Sequence, residues 1–344
     1  MSEWVMPPEW AEQERIWIAF PRDNYTIGDE PESRERAYAT WSEVANTIVD
    51  FEPVTAVVDP SALAEAKKRL DPRIEILEAP LDDSWMRDIG PTFVLNANGK
   101  LGGVDWTFNG WGANNWAMWE RDREIAKFVS DSVSAHHIPS TLVNEGGGIH
   151  VDGEGTVLLT ETVQLDPFRN PYTTKERVEW EMARTIGAKK AIWLPRGLHR
   201  DYDSPGTRGH VDMVACFARP GVVLLHWQEN SEHPDYALSR ELEQLLLAET
   251  DAAGRKLEVI RVPAPSTLKD EHGFVDYSYI NHLVINGAVI ACGFNEPEAD
   301  ARAAEILSEA YGRKVVTIDA RELFVRGGGI HCITQQQPRQ EVKI

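Results

Sequence analysis

The sequence predicts an α/β protein whose repeated ββαβ-like units close into a five-bladed α/β propeller. Three observations carry this. Apolar hairpin-like pairs recur over turns at Gly99, Gly153, Gly221 and Gly287, in steps of 54, 68 and 66 residues. Amphipathic helical stretches separate them. A phrase also repeats: Gly146-Gly147-Gly148-Ile149-His150 returns 181 residues later as Gly327-Gly328-Gly329-Ile330-His331. One supersecondary unit recurring in this way marks a repeat architecture. An open α/β sheet is the alternative, because the units share little sequence.

The elements follow in order. Arg34–Phe51 and the shorter Ala62–Leu70 carry helical periodicity. Thr92-Phe93-Val94-Leu95 enters the turn Asn96-Ala97-Asn98-Gly99. A helix is expected over Trp116–Ser130. Ile149–Val151 turns through Asp152-Gly153-Glu154-Gly155 into Thr156–Leu159. The next helix spans Thr173–Ile186, with Thr173 and Glu176 as a capping box and Gly187 as its stop. Met213–Phe217 and Val222–Leu225 flank Arg219-Pro220-Gly221, and a helix follows over Tyr236–Glu249. Leu283–Ile285 and Ala288–Ile290 flank Asn286-Gly287, with a helix over Glu298–Tyr311. Cys332-Ile333-Thr334 begins a fifth unit. A closed ring makes residues 1–344 a single domain.

Composition bounds the function. The chain has 42% hydrophobic and 26% charged residues, ordinary for a globular protein. The N-terminus lacks the basic and apolar regions of a secretory signal, and no apolar run approaches a membrane span. Three cysteines with no paired spacing make no disulfide framework, so the cytoplasm is the expected compartment. A net charge of −20 with no basic patch argues against nucleic acid and would steer a small cation inward.

In a ring, polar residues at the start of different hairpins converge on the axis. These are Asp88, Glu145, His210, Asp212 and Cys332. Cys332 follows a glycine run, which permits positive φ and close approach of backbone to a ligand. A cysteine nucleophile needs a thiolate, and a histidine oriented by a carboxylate can assist it. Cys332, His210 and Glu145 fill these roles. Asp88 and Asp212 then suit a guanidinium, whose forked N–H donors match carboxylates. Among the 12 tryptophans, Trp85 and Trp106 fit a wall against a cation, whereas Trp111 reads as core. Cys216 and Cys292 sit in apolar strands and read as core; His150 and His331 read as structural, bonding backbone beside the turns. A metal site from His150, Asp152, His210 and Asp212 is the rival, though no ligand spacing backs it.

The stretches DSWMRDIGPTF (83–93), VDWTFNGWG (104–112), EGGGIHVDGEGT (145–156), GHVDMVACFARPGVVLL (209–225) and GGGIHCITQQQP (327–338) carry a resemblance. Together they resemble the agmatine deiminases of the guanidine-modifying superfamily, relatives of arginine deiminases and bacterial peptidylarginine deiminases. The resemblance implies the pentein-type five-bladed propeller and hydrolysis of agmatine to N-carbamoylputrescine and ammonia, a step of polyamine biosynthesis. It implies Cys332 as nucleophile, His210 as acid and base, Glu145 as its partner, Asp88 and Asp212 on the guanidinium, and Trp85 lining the channel. It implies no cofactor and no metal, a small cationic guanidine as partner, and neither nucleic acid nor membrane; it leaves room for a homo-oligomer.

Departures from the family pattern bear on the substrate tail. Gly329 stands where members read Asn, Arg326 where they read Gly, and Met213 where they often read Asn. If Arg208 and Arg326 face the pocket, arginine or a peptide is favoured over agmatine. If Asp201 or Asp203 does, the amine of agmatine is favoured.

Overall fold

The computed structural model describes residues 3–340. Five small sheets share one plan: an antiparallel hairpin, a helical crossover, then a third strand parallel to the second. In chain order the complete sheets are Thr92–Asn96, Leu101–Thr107 and His136–Val143; Ile149–Val151, Thr156–Thr160 and Lys190–Leu194; Ala215–Arg219, Val222–Trp227 and Glu258–Pro263; and Leu283–Ile285, Ala288–Gly293 and Lys314–Asp319. Five separate blade sheets, with a two-stranded pair of Lys269–Asp270 and Gly273–Phe274 outside them, replace the open-sheet alternative.

The remaining blade joins the two ends of the chain. Thr334–Pro338 pairs antiparallel with Gln13–Phe20, with Thr334 opposite Ile18. Gln13–Phe20 continues parallel through Val54–Val58 to Glu75–Glu78. The unit expected to begin at Cys332 therefore supplies one strand only, and the N-terminal segment supplies the rest. Ile16 to Phe20 are buried on both faces, as expected of a strand covered on both sides.

The crossover helices are Pro31–Ile48, Ile125–Ser132, Lys175–Ile186, Asp235–Ala248 and Pro297–Tyr311, with Leu63–Arg69 as an extra short helix. Thr174, rather than Thr173, caps its helix by accepting from Arg177 N; Gly187 ends it in the left-handed region at φ 73°. The helix expected from Trp116 starts only at Asp122, as a single 3₁₀ turn. Trp116 instead lies flat on Trp111, with 5.3 Å between ring centroids. No helix among the described residues is long and apolar enough to cross a membrane.

Candidate active site

Each blade delivers one or two polar side chains from the segment that enters its first hairpin strand. The short helix Met86–Ile89 carries Asp88. Glu145 precedes the 3₁₀ turn Gly146–Gly148. His210 and Asp212 flank the start of another, Val211–Met213. Cys332 lies two residues before the closing strand, and Asn281 two residues before Leu283–Ile285. All six are buried.

The glycine runs keep space open more than they bend the chain. Within both runs, only Gly327 has positive φ. A Cβ on Gly147 would lie 2.5 Å from His210 Nδ1, 2.9 Å from Asp212 Oδ2 and 3.0 Å from Asp88 Oδ1. One on Gly328 would lie 2.9 Å from Cys332 Sγ and 2.8 Å from the Trp85 ring. A side chain at either place would fill the space around which the polar groups gather.

His210 is held at one end and open at the other. Its Nε2 lies 3.2 Å from Glu145 Oε2. Its Nδ1 lies 3.9 Å from Asp88 Oδ2 and from Asp212 Oδ1, with no hydrogen-bond partner. Burial alone would lower its pKa. The charges of Asp88, Glu145 and Asp212 outweigh burial and raise it to about 9, so the ring is an imidazolium at neutral pH. Burial opposes the charge of Glu145 as well, but Arg169 and His210 hold its carboxyl at about 2.

The two aspartates differ. Asp88 accepts from Trp111 Nε1 at 2.8 Å and from Gly147 N at 3.0 Å. Burial, with Asp212 and Glu145 nearby, still pushes its pKa up. Asp212 Oδ2 lies 2.8 Å from His331 Nδ1, and His331 Nε2 lies 2.7 Å from Glu9 Oε1. Burial opposes charge on Asp212, but its bond to His331 wins and holds the carboxyl below its usual range. Asp212 Oδ1 has no hydrogen-bond partner. A buried unpaired carboxylate oxygen beside a buried unpaired imidazole nitrogen is costly in a finished site. It is the expected state of one built to receive donors.

Cys332 Sγ lies 3.7 Å from Asp212 Oδ2. Burial, then Asp212 and Asp88, push its pKa well above that of a free thiol. Sulfur is therefore protonated at neutral pH while His210 is charged.

The structure thus gathers Cys332, His210, Glu145, Asp88 and Asp212 around one space. Trp85 lines the pocket with Trp111, Trp116, Pro205 and Arg326. Trp106 does not. It packs in a separate core with Trp4, Met6 and Val94, and its indole donates to Thr92 Oγ1 at 2.9 Å. Trp111, read as core, instead donates to Asp88. Asp152 accepts from Thr156 N and Glu154 N to close a hairpin turn, and His150 Nδ1 accepts from Phe217 N. Those bonds commit half of the rival metal set elsewhere. His331 bridges two carboxylates, where a backbone partner was expected.

Sequence reasoning missed Arg169, Asn281 and Glu9. Asn281 carried a usable signal, since it holds the hairpin-entry place of the last complete blade. Glu9 and Arg169 carried none. Partners place the charged residues near the substrate tail. Arg208 pairs with Asp166 at 2.9 Å. Arg326 Nη1 donates to the Glu322 carboxylate at 2.7 Å, and its Nη2 to Ser33. Asp201 accepts from Thr207 N, Gly209 N and His210 N, shaping the loop ahead of His210. Asp203 lines a neighbouring cavity of about 480 Å³ that meets the pocket at Pro205 and Gly327.

A five-bladed propeller with a cysteine, a histidine and paired acids at its axis defines the pentein class of guanidine-modifying proteins. The model of the Porphyromonas-type peptidyl-arginine deiminase family matches residues 5–338, and the chain belongs to that family. A Streptomyces coelicolor relative is 54% identical, over 97% of this chain and 98% of its own. The agmatine deiminase of Pseudomonas putida strain KT2440 is 40% identical, over 97% and 95%. The solved agmatine deiminase of Enterococcus faecalis superposes with a TM-score of 0.91 at 32% identity, covering 98% and 97%.

Proposed function

We propose that the protein hydrolyses agmatine to N-carbamoylputrescine and ammonia as one catalytic unit, with Cys332 as nucleophile. The observation that carries this is the unpaired pair, Asp212 Oδ1 and His210 Nδ1, facing a space kept open by Gly147. A guanidinium there gives N–H donors to Asp88 and Asp212. Its charge also favours the thiolate, the thiol proton leaving to solvent so that His210 stays protonated. Sulfur attacks the guanidinium carbon, and His210 Nδ1 gives its proton to the departing nitrogen, which leaves as ammonia. An S-linked thiouronium remains. Neutral His210 then takes a proton from water as its oxygen attacks that carbon. As the C–S bond breaks, the remaining hydroxyl proton passes to the departing sulfur, the ureido carbonyl forms, and His210 is again protonated. Glu145 on Nε2 keeps Nδ1 directed at the substrate throughout. The reaction needs only a diffusible substrate and water, which suits the cytoplasm.

The tail supports agmatine over arginine. Arg208 and Arg326 are both engaged, and the adjoining cavity carries Asp203, Asp270, Glu271 and Asp276. Its own Arg200 is bound to Asp270 at 2.8 Å. Such a rim attracts an ammonium and repels a carboxylate. The kcat/KM for agmatine should exceed that for arginine by on the order of a hundredfold or more, given several kcal/mol for misplaced like charge. Ureido product measured on both substrates and on arginine amide checks this. Equal rates, or a preference for arginine, would reject the agmatine assignment.

A further inference from the structure

The charged groups nearest the sulfur are acidic, and one neutral side chain also reaches it. Asn281 Nδ2 lies 3.2 Å from Cys332 Sγ, and Oδ1 lies 3.3 Å from it. Asn281 is fully buried.

Two backbone groups of opposite kind set the amide. Cys332 N donates to Oδ1 at 3.4 Å, and Nδ2 donates to Asp212 O at 3.4 Å. A flipped amide would put N–H against N–H and C=O against C=O, so each end has one identity. The main chain of Asn281 is pinned as well, its carbonyl accepting from His331 N and from the Cys292 thiol. Gly329 makes the room. A Cβ there would lie 2.5 Å from Oδ1, although φ at this position is not positive. The same Cβ would lie 2.7 Å from the Phe324 ring, so the glycine clears room for the amide and for that ring.

We propose that Asn281 is a catalytic residue that serves the sulfur in both of its protonation states. Oδ1 accepts the S–H of the resting thiol. Nδ2 donates to the thiolate that attacks the substrate, and again to the sulfur as it leaves in the second step. This rests on Cys332 being the nucleophile. The need is physical: a sulfur anion facing Asp88 and Asp212 away from water requires donors, and beside the Gly329 N–H the amide is the side-chain one. A cationic donor would meet the need but would repel the guanidinium. A neutral amide meets it without that repulsion.

The test reads sulfur directly. Iodoacetamide labelling of Cys332 is followed against pH by peptide mass, which separates it from Cys216 and Cys292. Asn281→Asp keeps an acceptor and puts a carboxylate in place of the donor; its labelling midpoint should rise by about one to two pH units. Asn281→Ala should lower kcat about ten- to a hundredfold, the loss for a bond to a charged group. Gly329→Ala, which displaces the amide, should shift labelling in the same direction as Asn281→Asp. If Asn281→Ala fails to fold, the isosteric Asn281→Asp decides. Wild-type labelling profiles with kcat within about threefold of wild type would overturn the proposal. Turnover surviving in Cys332→Ala would instead reject the nucleophile, a separate failure.

Discussion

Cys332→Ala should release no measurable ammonia from agmatine while still binding it. The sulfur is the group placed to bond to the substrate carbon, and loss of a nucleophile costs on the order of a millionfold in kcat. Binding is carried by other atoms. Asp88 keeps its bonds from Trp111 and Gly147, and Asp212 keeps His331. Affinity should stay level or improve, because a protonated thiol beside two acids contributes little to holding a cation. Stability should fall by about 1 kcal/mol, the scale of deleting one small buried group. Calorimetric titration with agmatine, an ammonia assay and a thermal melt separate these effects. An unfolded variant would say nothing of chemistry, so intact binding is the control. A variant that binds and still turns over would sink the nucleophile.

What the sequence made legible follows a physical division. Four hairpins were readable because a turn is local: glycine at positive φ, as at Gly99, Gly153, Gly221 and Gly287, sits between apolar runs. Gln13–Phe20 was silent because its hairpin partner lies at the far end of the chain. The five polar side chains were readable by the same rule, since each enters a hairpin at the ring axis. Applied once more, that rule reaches Asn281.

The tryptophans show where local reading stops. Trp106 lies on a strand that alternates, and its face belongs to the second core. Trp111 sits at φ 56° between Gly110 at 67° and Gly112 at 92°. A non-glycine residue held at positive φ is strained, and such strain clusters at functional sites, so Gly-Trp-Gly was the signal to weigh. Arg169 offers no comparable mark. It follows Asp166-Pro167-Phe168 in an ordinary loop, and only the fold sets it against Glu145.

Arg169→Met should be the most destabilising single change in the site. Arg169 Nε contacts both Glu145 oxygens at 3.0 and 3.1 Å, Nη1 reaches Asp166 at 3.0 Å, and Nη2 donates to Thr207 O at 2.7 Å. Removing one partner of a buried ion pair costs about 3–5 kcal/mol, because the other charge stays buried. The deficit should depend on pH. Glu145 is depressed from 4.5 to about 2, so its contribution stands above 4.5 and fades as pH falls toward 2. His210 is raised from 6.5 to about 9, so its contribution is full below 6.5 and is lost as pH rises through 9. The gap between wild type and variant should be widest between pH 4.5 and 6.5 and narrow on either side. Catalysis should carry the same signature. In the free enzyme the thiol titrates above the imidazolium, so the first proton lost on raising pH comes from His210. The productive thiolate–imidazolium form is a fixed fraction of that singly deprotonated population. The kcat/KM should therefore climb with slope one up to about pH 9. Without Arg169, Glu145 is held ionised by His210 alone, so its pKa rises and the His210 imidazolium loses part of its anionic support. The climb should then end at lower pH, and the plateau should drop, because the imidazolium is less favoured against the thiol. Denaturation midpoints at several pH values and a pH–rate profile measure both effects. An unchanged acid limb would mean that Arg169 braces the loop without setting the charge on His210.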